Sequence, residues 1–248
     1  GSSTSSYRVS LGFMDRLGVI LNEDMKNFTS NMNMNQKMFD GFFDCELGMF
    51  GSILKNHNLV DYQKTFYSAA TYNPTYPNHK DPVTNSWDGI TTASQITNPL
   101  AWMQVDEDDA TSHISTHARF TFNLMKELKL VLFGANTYNI VENSHYLPSS
   151  VWANGQAYKG TKKMESLLGN MMLTYKKGWK KHFFDVLALA ELQKETYMGY
   201  YTTVSNFSTD KFGYNNLQAG AVRLWEGTNS YYEQPRLASY MRRFNYPN

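Results

Sequence analysis

Hydrophobic and polar positions alternate with a period of two along most of the chain. From His113 to Leu124, Ile114, Thr116, Ala118, Phe120, Phe122 and Leu124 alternate with His113, Ser115, His117, Arg119, Thr121 and Asn123, the mark of a half-buried strand. The polar link Met125-Lys126-Glu127 follows, and then Leu128, Leu130, Leu132, Gly134, Asn136 and Tyr138 alternate with Lys129, Val131, Phe133, Ala135 and Thr137. Two long strands around a tight link predict a hairpin. Strands of about ten residues with one oily and one wet face suit a membrane barrel.

The same pattern recurs on both sides of this hairpin. Strand one carries Tyr7, Val9, Leu11 and Phe13 against Arg8, Ser10, Gly12 and Met14, and runs toward Ile20 before the polar turn Asn22-Glu23-Asp24. Strand two places Phe28, Ser30, Met32 and Met34 on one face and Thr29, Asn31, Asn33 and Asn35 on the other, a wet row of amides and a hydroxyl. Phe39-Asp40-Gly41 supplies the positive φ of a tight hairpin, and Phe43, Cys45, Leu47 and Met49 begin strand three. Later strands are predicted at Leu167–Tyr175, Phe184–Gln193 and Leu237–Tyr246. Links at 36–41, 125–128 and 176–181 are short, whereas 56–109, 146–163 and 200–234 are long, with only the Asn22 turn short on the second rim. Short turns on one rim and long loops on the other are the layout of outer-membrane barrels.

The first long connection breaks the alternation. Leu59, Tyr62, Phe66 and Ala69 or Ala70 have helical spacing, and Pro74, Pro77 and Pro82 then exclude regular structure. A connection of some fifty residues is usually functional. Its aromatics, with those of the other long links, give Tyr72, Tyr76, Trp87, Trp152 and Trp225 as candidate substrate-binding residues: flat apolar faces and polar edges suit sugar rings or peptide side chains. Packing of the loops on one another is the competing use.

Composition narrows the function classes. A formal charge of +1 over 248 residues gives no basic surface for nucleic acid and no acidic surface for a cationic partner. A single cysteine, Cys45, excludes an internal disulfide framework and a multi-cysteine metal site, and its place in an alternating run makes it a packed or lipid-facing thiol. No apolar run reaches the length of a membrane helix. The mean hydropathy of -0.51 does not bear on a barrel, whose strands alternate, and 15% aromatic residues fit the girdles of one. The opening Gly1-Ser2-Ser3-Thr4-Ser5-Ser6 lacks the parts of a signal peptide.

Candidate chemistry is sparse. Asp106-Glu107-Asp108-Asp109 lacks the spacing and glycine of a calcium loop and reads as a solvated charge run. His113 and His117, four apart on a strand, are about 13 Å from each other, too far for one metal ion. There is no nucleophile-elbow signature and no phosphate-cradling glycine loop, so no cofactor, metal or catalytic residue is expected.

Particular segments resemble the SusC-type TonB-dependent transporters of Bacteroidetes. Thr4-Ser5-Ser6-Tyr7-Arg8-Val9-Ser10-Leu11-Gly12-Phe13 with Gly18-Val19-Ile20, and then Phe28-Thr29-Ser30-Asn31-Met32-Asn33-Met34-Asn35, look like that family's early barrel. Ala69-Ala70-Thr71-Tyr72-Asn73-Pro74-Thr75-Tyr76-Pro77 and Asn98-Pro99-Leu100-Ala101 are similar to its long extracellular loop, and Leu237–Tyr246 to a mid-barrel strand. The resemblance implies a 22-stranded outer-membrane barrel with an internal plug, coupling to TonB, a SusD-like surface lipoprotein as partner, a dimer of such pairs, and import of an oligosaccharide or peptide. Residues 1–248 are then part of one barrel domain, about eight strands without the plug or the remaining strands. Asn31, Asn33, Asn35, His117 and Arg119 are expected to face the lumen. Two other readings stay open: a soluble or surface-attached β-sandwich that binds carbohydrate, which predicts two packed sheets, and a barrel enzyme, which predicts Ser, His and Asp gathered in one pocket.

Overall fold

The computed structural model describes residues 2, 4–20, 22–58, 62–75, 82–83, 98–149, 151–152, 154–180 and 182–246. They form one antiparallel sheet of ten strands. β1 (Ser5–Leu17), β2 (Asp24–Met38), β3 (Phe43–His57), β4 (Asp106–Asn123), β5 (Leu128–Leu147), β6 (Gln156–Trp179) and β7 (His182–Phe207) pair each with the next in sequence. β8 (Gly220–Val222), β9 (Thr228–Glu233) and β10 (Arg236–Asn245) all pair with β7. β9 and β10 act as one interrupted strand along β7, broken where Pro235, which has no N–H to give, leaves its carbonyl to accept from Glu195 at 3.0 Å. The ladder is therefore eight strands wide.

The links follow the predicted asymmetry. Phe39, Asp40 and Gly41 all have positive φ, so the β2–β3 turn is as tight as its Asp-Gly pair suggested. On the other rim, the β3–β4 connection contains α1 (Tyr62–Thr71) and the one-turn α2 (Pro99–Trp102), whose N-cap Asn98 accepts from the Leu100 N–H at 2.9 Å. Two predicted loops are shorter than expected. β6 starts at Gln156, so Tyr158 and Gly160 lie in a strand, and β7 runs to Phe207 with β8 and β9 beside it, so much of 200–234 is sheet. The positive φ of Asn154 and Gly155 makes the tight reversal that allows this. Among the described residues no helix is long and apolar enough to cross a membrane, which says nothing of a β-barrel.

Register places the apolar residues together. Val9, Met32, Met49 and Thr116 are successive neighbours across β1–β4, and Leu132, Met171, Ala190 and Tyr240 across β5, β6, β7 and β10, all on one face. This face is open: Tyr7, Val9, Leu11 and Phe13 are 64–74% exposed, and Tyr240 is 80% exposed. No second sheet covers it among the described residues, which removes the basis for the sandwich. An uncovered apolar surface this broad does not occur on an ordinary soluble monomer.

The apolar band also crosses the sheet obliquely. The register row that starts at Lys26 runs through Lys55, Ala110, Glu142 and Thr161 to Tyr200. On β2 the first polar residue beyond the band on this face is Lys26, but on β7 it is Lys194, six residues below Tyr200. Six residues are about 20 Å and five strand spacings about 24 Å, which gives a strand tilt of about 40°, inside the range for membrane barrels. On β6 the band spans Leu167 to Tyr175, about 26 Å along the strand and about 20 Å in height at that tilt, near the ~25 Å belt of such barrels. β6 and β7, of 24 and 26 residues, therefore continue well beyond the band on the long-loop side.

Neighbouring residues on β6 test the face assignment. In the complete barrel unfolded by guanidinium in lipid vesicles, Met171→Arg on the apolar face should cost roughly 2–4 kcal/mol, whereas Asn170→Arg on the opposite face should cost under about 1 kcal/mol. Equal costs would contradict the assignment.

Candidate functional site

The face opposite the apolar band carries the polar chemistry. Arg8 faces Asn33 across β1–β2, and Asn35 faces Glu46 and Glu46 faces Arg119 across β2–β3–β4. Asn31, Asn33, Asn35, His117 and Arg119 thus share one face, as alternation predicted. Glu46 stands between an imidazole and a guanidinium: its carboxylate lies 3.7 Å from His117 Nε2 and 3.9 Å from Arg119 Nε. The Arg119 guanidinium sits over the Phe133 ring at 5.4 Å, and the His117 ring is 6.2 Å from that ring. Gly48 makes room for this arrangement, because a Cβ there would run into the His117 imidazole. Asn33 donates to Asn31 at 2.6 Å, and Gln193 and Tyr197 each donate to Glu195 at 2.7 Å. The Glu46 contacts are open to solvent, so they hold weakly, at about 0–1 kcal/mol, whereas the Asn31 and Glu195 hydrogen bonds are half-buried.

A second cluster joins the long-loop rim into one body. Asp210 accepts from Tyr146 Oη at 2.7 Å, from the Ser149 N–H at 2.9 Å and from Ser149 Oγ at 2.6 Å, tying the β5–β6 and β7–β8 connections together. Phe207 packs edge-on against Tyr146 at 5.5 Å, beside the fully buried Ala157 and Val204. Tyr214 hydrogen-bonds to Asp108, whose other oxygen is 3.1 Å from His57 Nδ1, and Lys159 lies over the Tyr214 ring at 5.7 Å. The Ser, His and Asp that the barrel-enzyme reading gathers in one pocket do meet here, since Ser144 is the register partner of Asp108 and lines one cleft with it and His57, but the hydroxyl bonded to Asp108 is that of Tyr214.

The acidic run is solvated in part: Asp106 is exposed, and Glu107, Asp108 and Asp109 are half-buried. Asp108 is bonded as above, and Asp109 accepts from Asn143 at 2.5 Å and Asn58 at 2.9 Å. Asp108 lies six residues beyond Ile114, outside the apolar band. Burial works to raise its carboxyl, but the hydrogen bonds from Tyr214 and His57 outweigh it and hold it below the ordinary 3.8. Burial raises the Tyr214 hydroxyl, and Asp108 raises it further.

Three of the predicted loop aromatics lie among the described residues, each on a different connection. Tyr72 is half-buried just after α1, Trp152 is 49% exposed on the β5–β6 link, and Trp225 is 84% exposed beyond β8. Tyr76 and Trp87 lie outside the described residues. Alternation gave no sign of the Asp210 cluster, because its members come from connections far apart in sequence. Asn154-Gly155 was the one local signal that the β5–β6 link ends early.

No family model matches the chain. The chain is 26% identical over 259 residues to TonB-dependent receptor P3 of Formosa agariphila, an alignment that covers 99% of this chain and 25% of that protein. The fold is similar to that of the RagAB peptide transporter, with a TM-score of 0.74 at 15% identity over 99% of this chain and 29% of the other. It is equally similar to the RagAB peptide importer in its open-open state, with a TM-score of 0.75 at 14% identity over 100% of this chain and 28% of the other. The chain thus spans about a quarter of the length of the curated relative it matches. These relatives are a receptor and a peptide transporter.

Two outcomes check the rim. Asp210→Ala should raise hydrogen exchange together in 148–155 and 208–219, a local loss of roughly 1–3 kcal/mol for a carboxylate that takes three hydrogen bonds. Because the folded Asp108 value lies below the unfolded one, its stabilisation is complete above 3.8 and disappears as pH falls through the lowered folded value. Protection of the residue-214 amide, taken against its intrinsic exchange rate at each pH, should fall across that acidic window in the native protein and should be the same above and within it in Tyr214→Phe.

Proposed function

We infer that this chain, a length of barrel wall of the TonB-dependent-receptor type, forms part of a SusC-type transporter in the bacterial outer membrane. The tilted apolar band carries the reading. Its face meets lipid, and the opposite face, with Asn31, Asn33, Asn35, His117 and Arg119, lines the lumen. A sheet with two lateral edges cannot stand alone in hydrocarbon, where an unpaired backbone group finds no partner. Further strands of the same barrel close the free sides of β1 and β10, and an internal plug completes the domain.

The transported substrate is an oligosaccharide or a peptide. A relation of fold to a peptide importer supports the peptide, and so does the polar face itself. Carboxamides donate and accept alternately, as a peptide backbone does, and Glu46, Arg119 and Arg8 offer both signs of charge to its termini and side chains. Energy comes from the inner-membrane proton gradient through TonB, and the wall itself catalyses no reaction. A SusD-like lipoprotein covers the long-loop rim, where the exposed Trp152 and Trp225, with Tyr72, Tyr76 and Trp87, offer rings to it or to substrate. Two transporter–lipoprotein pairs associate as a dimer.

Spin labels at Asn170→Cys and Met171→Cys in the complete polypeptide, reconstituted in liposomes, test the central statement. Label 171 should be reached by dissolved oxygen and shielded from a water-soluble nickel chelate, with label 170 showing the reverse. Equal access of the chelate to both would sink the membrane assignment. Mild detergent extraction should recover the polypeptide with a surface lipoprotein, and a polypeptide recovered alone under every mild condition would remove that partner.

A further inference from the structure

Two arginines stand next to each other on β10 and meet opposite surroundings. Arg243 is on the polar face, where the Asp185 carboxylate lies 3.6 Å from its guanidinium. Arg242 is on the apolar face, directly opposite Ala188 of β7, with Val186 and Ala190 at the diagonal positions and Tyr240 and Phe244 two residues away along its own strand. None of these five neighbours carries a charge. Among the described residues no carboxylate lies within ion-pair distance of Arg242, which is exposed.

Its depth is what requires a partner. On β10 the apolar band runs from Ala238 to Tyr246, and Arg242 lies midway, four residues from either end. Four residues are about 13 Å along the strand and, at a tilt of about 40°, about 10 Å in height. No other residue of the band on β6, β7 or β10 is charged. A lone guanidinium at that depth strains toward the headgroups or draws water inward, whereas a carboxylate held in its fork neutralises it in place. β7 fills one side of β10 and offers no carboxylate, so the partner comes from the other side. That side presents unpaired backbone groups, which in hydrocarbon only another strand satisfies. The nearest side chain there is therefore a cross-strand neighbour, with its Cβ about 4.5–5.5 Å from that of Arg242 when directly opposed.

We propose that the strand paired with the free side of β10 sets an aspartate or glutamate against Arg242, and that this ion pair on the lipid-facing side fixes the register in which that strand closes on β10. A slip of one residue would turn the carboxylate to the opposite face and leave the guanidinium alone in lipid. The apolar side chains around it, Tyr240 and Phe244 above and below, tolerate a slip of two far better than the charge does. The proposal rests on the membrane reading above, because only lipid makes an unbalanced charge on this face costly.

The sign of a stability change tests this in the complete polypeptide, folded in lipid vesicles and unfolded by guanidinium. With a carboxylate beside it, Arg242→Leu leaves that carboxylate bare at mid-depth, so the unfolding midpoint should fall near pH 7. The loss should shrink toward about pH 5, because apolar surroundings raise a bare carboxyl and it takes up a proton there. Without a carboxylate, Arg242→Leu removes a costly charge and the midpoint should rise. A risen or unchanged midpoint overturns the proposal. A second variant locates the partner: Arg242→Lys, treated with a lipid-soluble carbodiimide that joins an amine to a carboxyl with loss of water, should form an amide to an aspartate or glutamate on the strand beside β10, found by peptide mapping. An amide to a different polypeptide, or none, overturns the proposal. A polypeptide that holds in vesicles and fails either test refutes the ion pair alone. One that is soluble without detergent refutes the membrane reading and the ion pair with it.

Discussion

The register of the ladder is the constraint on which the rest depends. Side chains alternate with a period of two, so a slip of one residue between β2 and β3 would carry Leu47, Met49 and Ile53 to the polar face and Glu46 and Ser52 to the apolar one. The short links prevent this. Phe39, Asp40 and Gly41 hold positive φ and close β2 onto β3 at Met38 and Phe43, and the Met125 and Leu128 backbones bond each other across the β4–β5 turn at 3.2 Å in both directions. With register fixed at one rim, both faces and the oblique apolar band follow along the full strand length.

Stability in this wall therefore has little to do with a core. The buried apolar residues are few and gather mainly at the long-loop rim, around Tyr146, Ala157, Val204 and Phe207. Below them the sheet is held by its backbone ladder and by aromatic contacts across strands, such as Phe43 with Phe122 at 4.9 Å and Phe184 with Tyr246 at 5.2 Å, both near the short-turn rim. The ladder needs a nonpolar medium on one face to gain from burial, and the rim needs Asp210 and Asp108 to hold connections that lie in water.

What was legible in the sequence is what depends on period two. Alternation places Val9, Met32 and Met49 on one face and Asn31, Asn33, His117 and Arg119 on the other, and the structure agrees at each of these positions. Strand ends were legible only where a residue forces them. Asp40-Gly41 was read as a turn, but Asn154-Gly155 was passed over because Trp152, Tyr158 and Gly160 look like loop residues when no outward lipid is there to demand apolar side chains. Beyond the apolar band both faces of β6 and β7 mix polar residues with apolar ones such as Ala157, Met164, Met198, Val204 and Phe207, and alternation fades although the ladder continues through Lys163, Thr161 and Thr202. Contacts made by residues far apart, such as Tyr146 with Asp210 and Asp108 with Tyr214, leave no periodic trace.

The two faces also divide the physical labour. On the apolar face a charge is costly in proportion to its depth, yet Arg242 stands there between Tyr240 and Phe244 on β10, opposite Ala188 of β7. On the polar face, Glu46 holds His117 and Arg119 at 3.7 and 3.9 Å in contact with water, where such pairs stabilise by about 0–1 kcal/mol and exchange readily for other partners. Polar groups locked by strong buried pairs would keep fixed partners. The guanidinium and imidazole held here at the solvent can exchange partners readily, while register and the apolar face keep the strands in place.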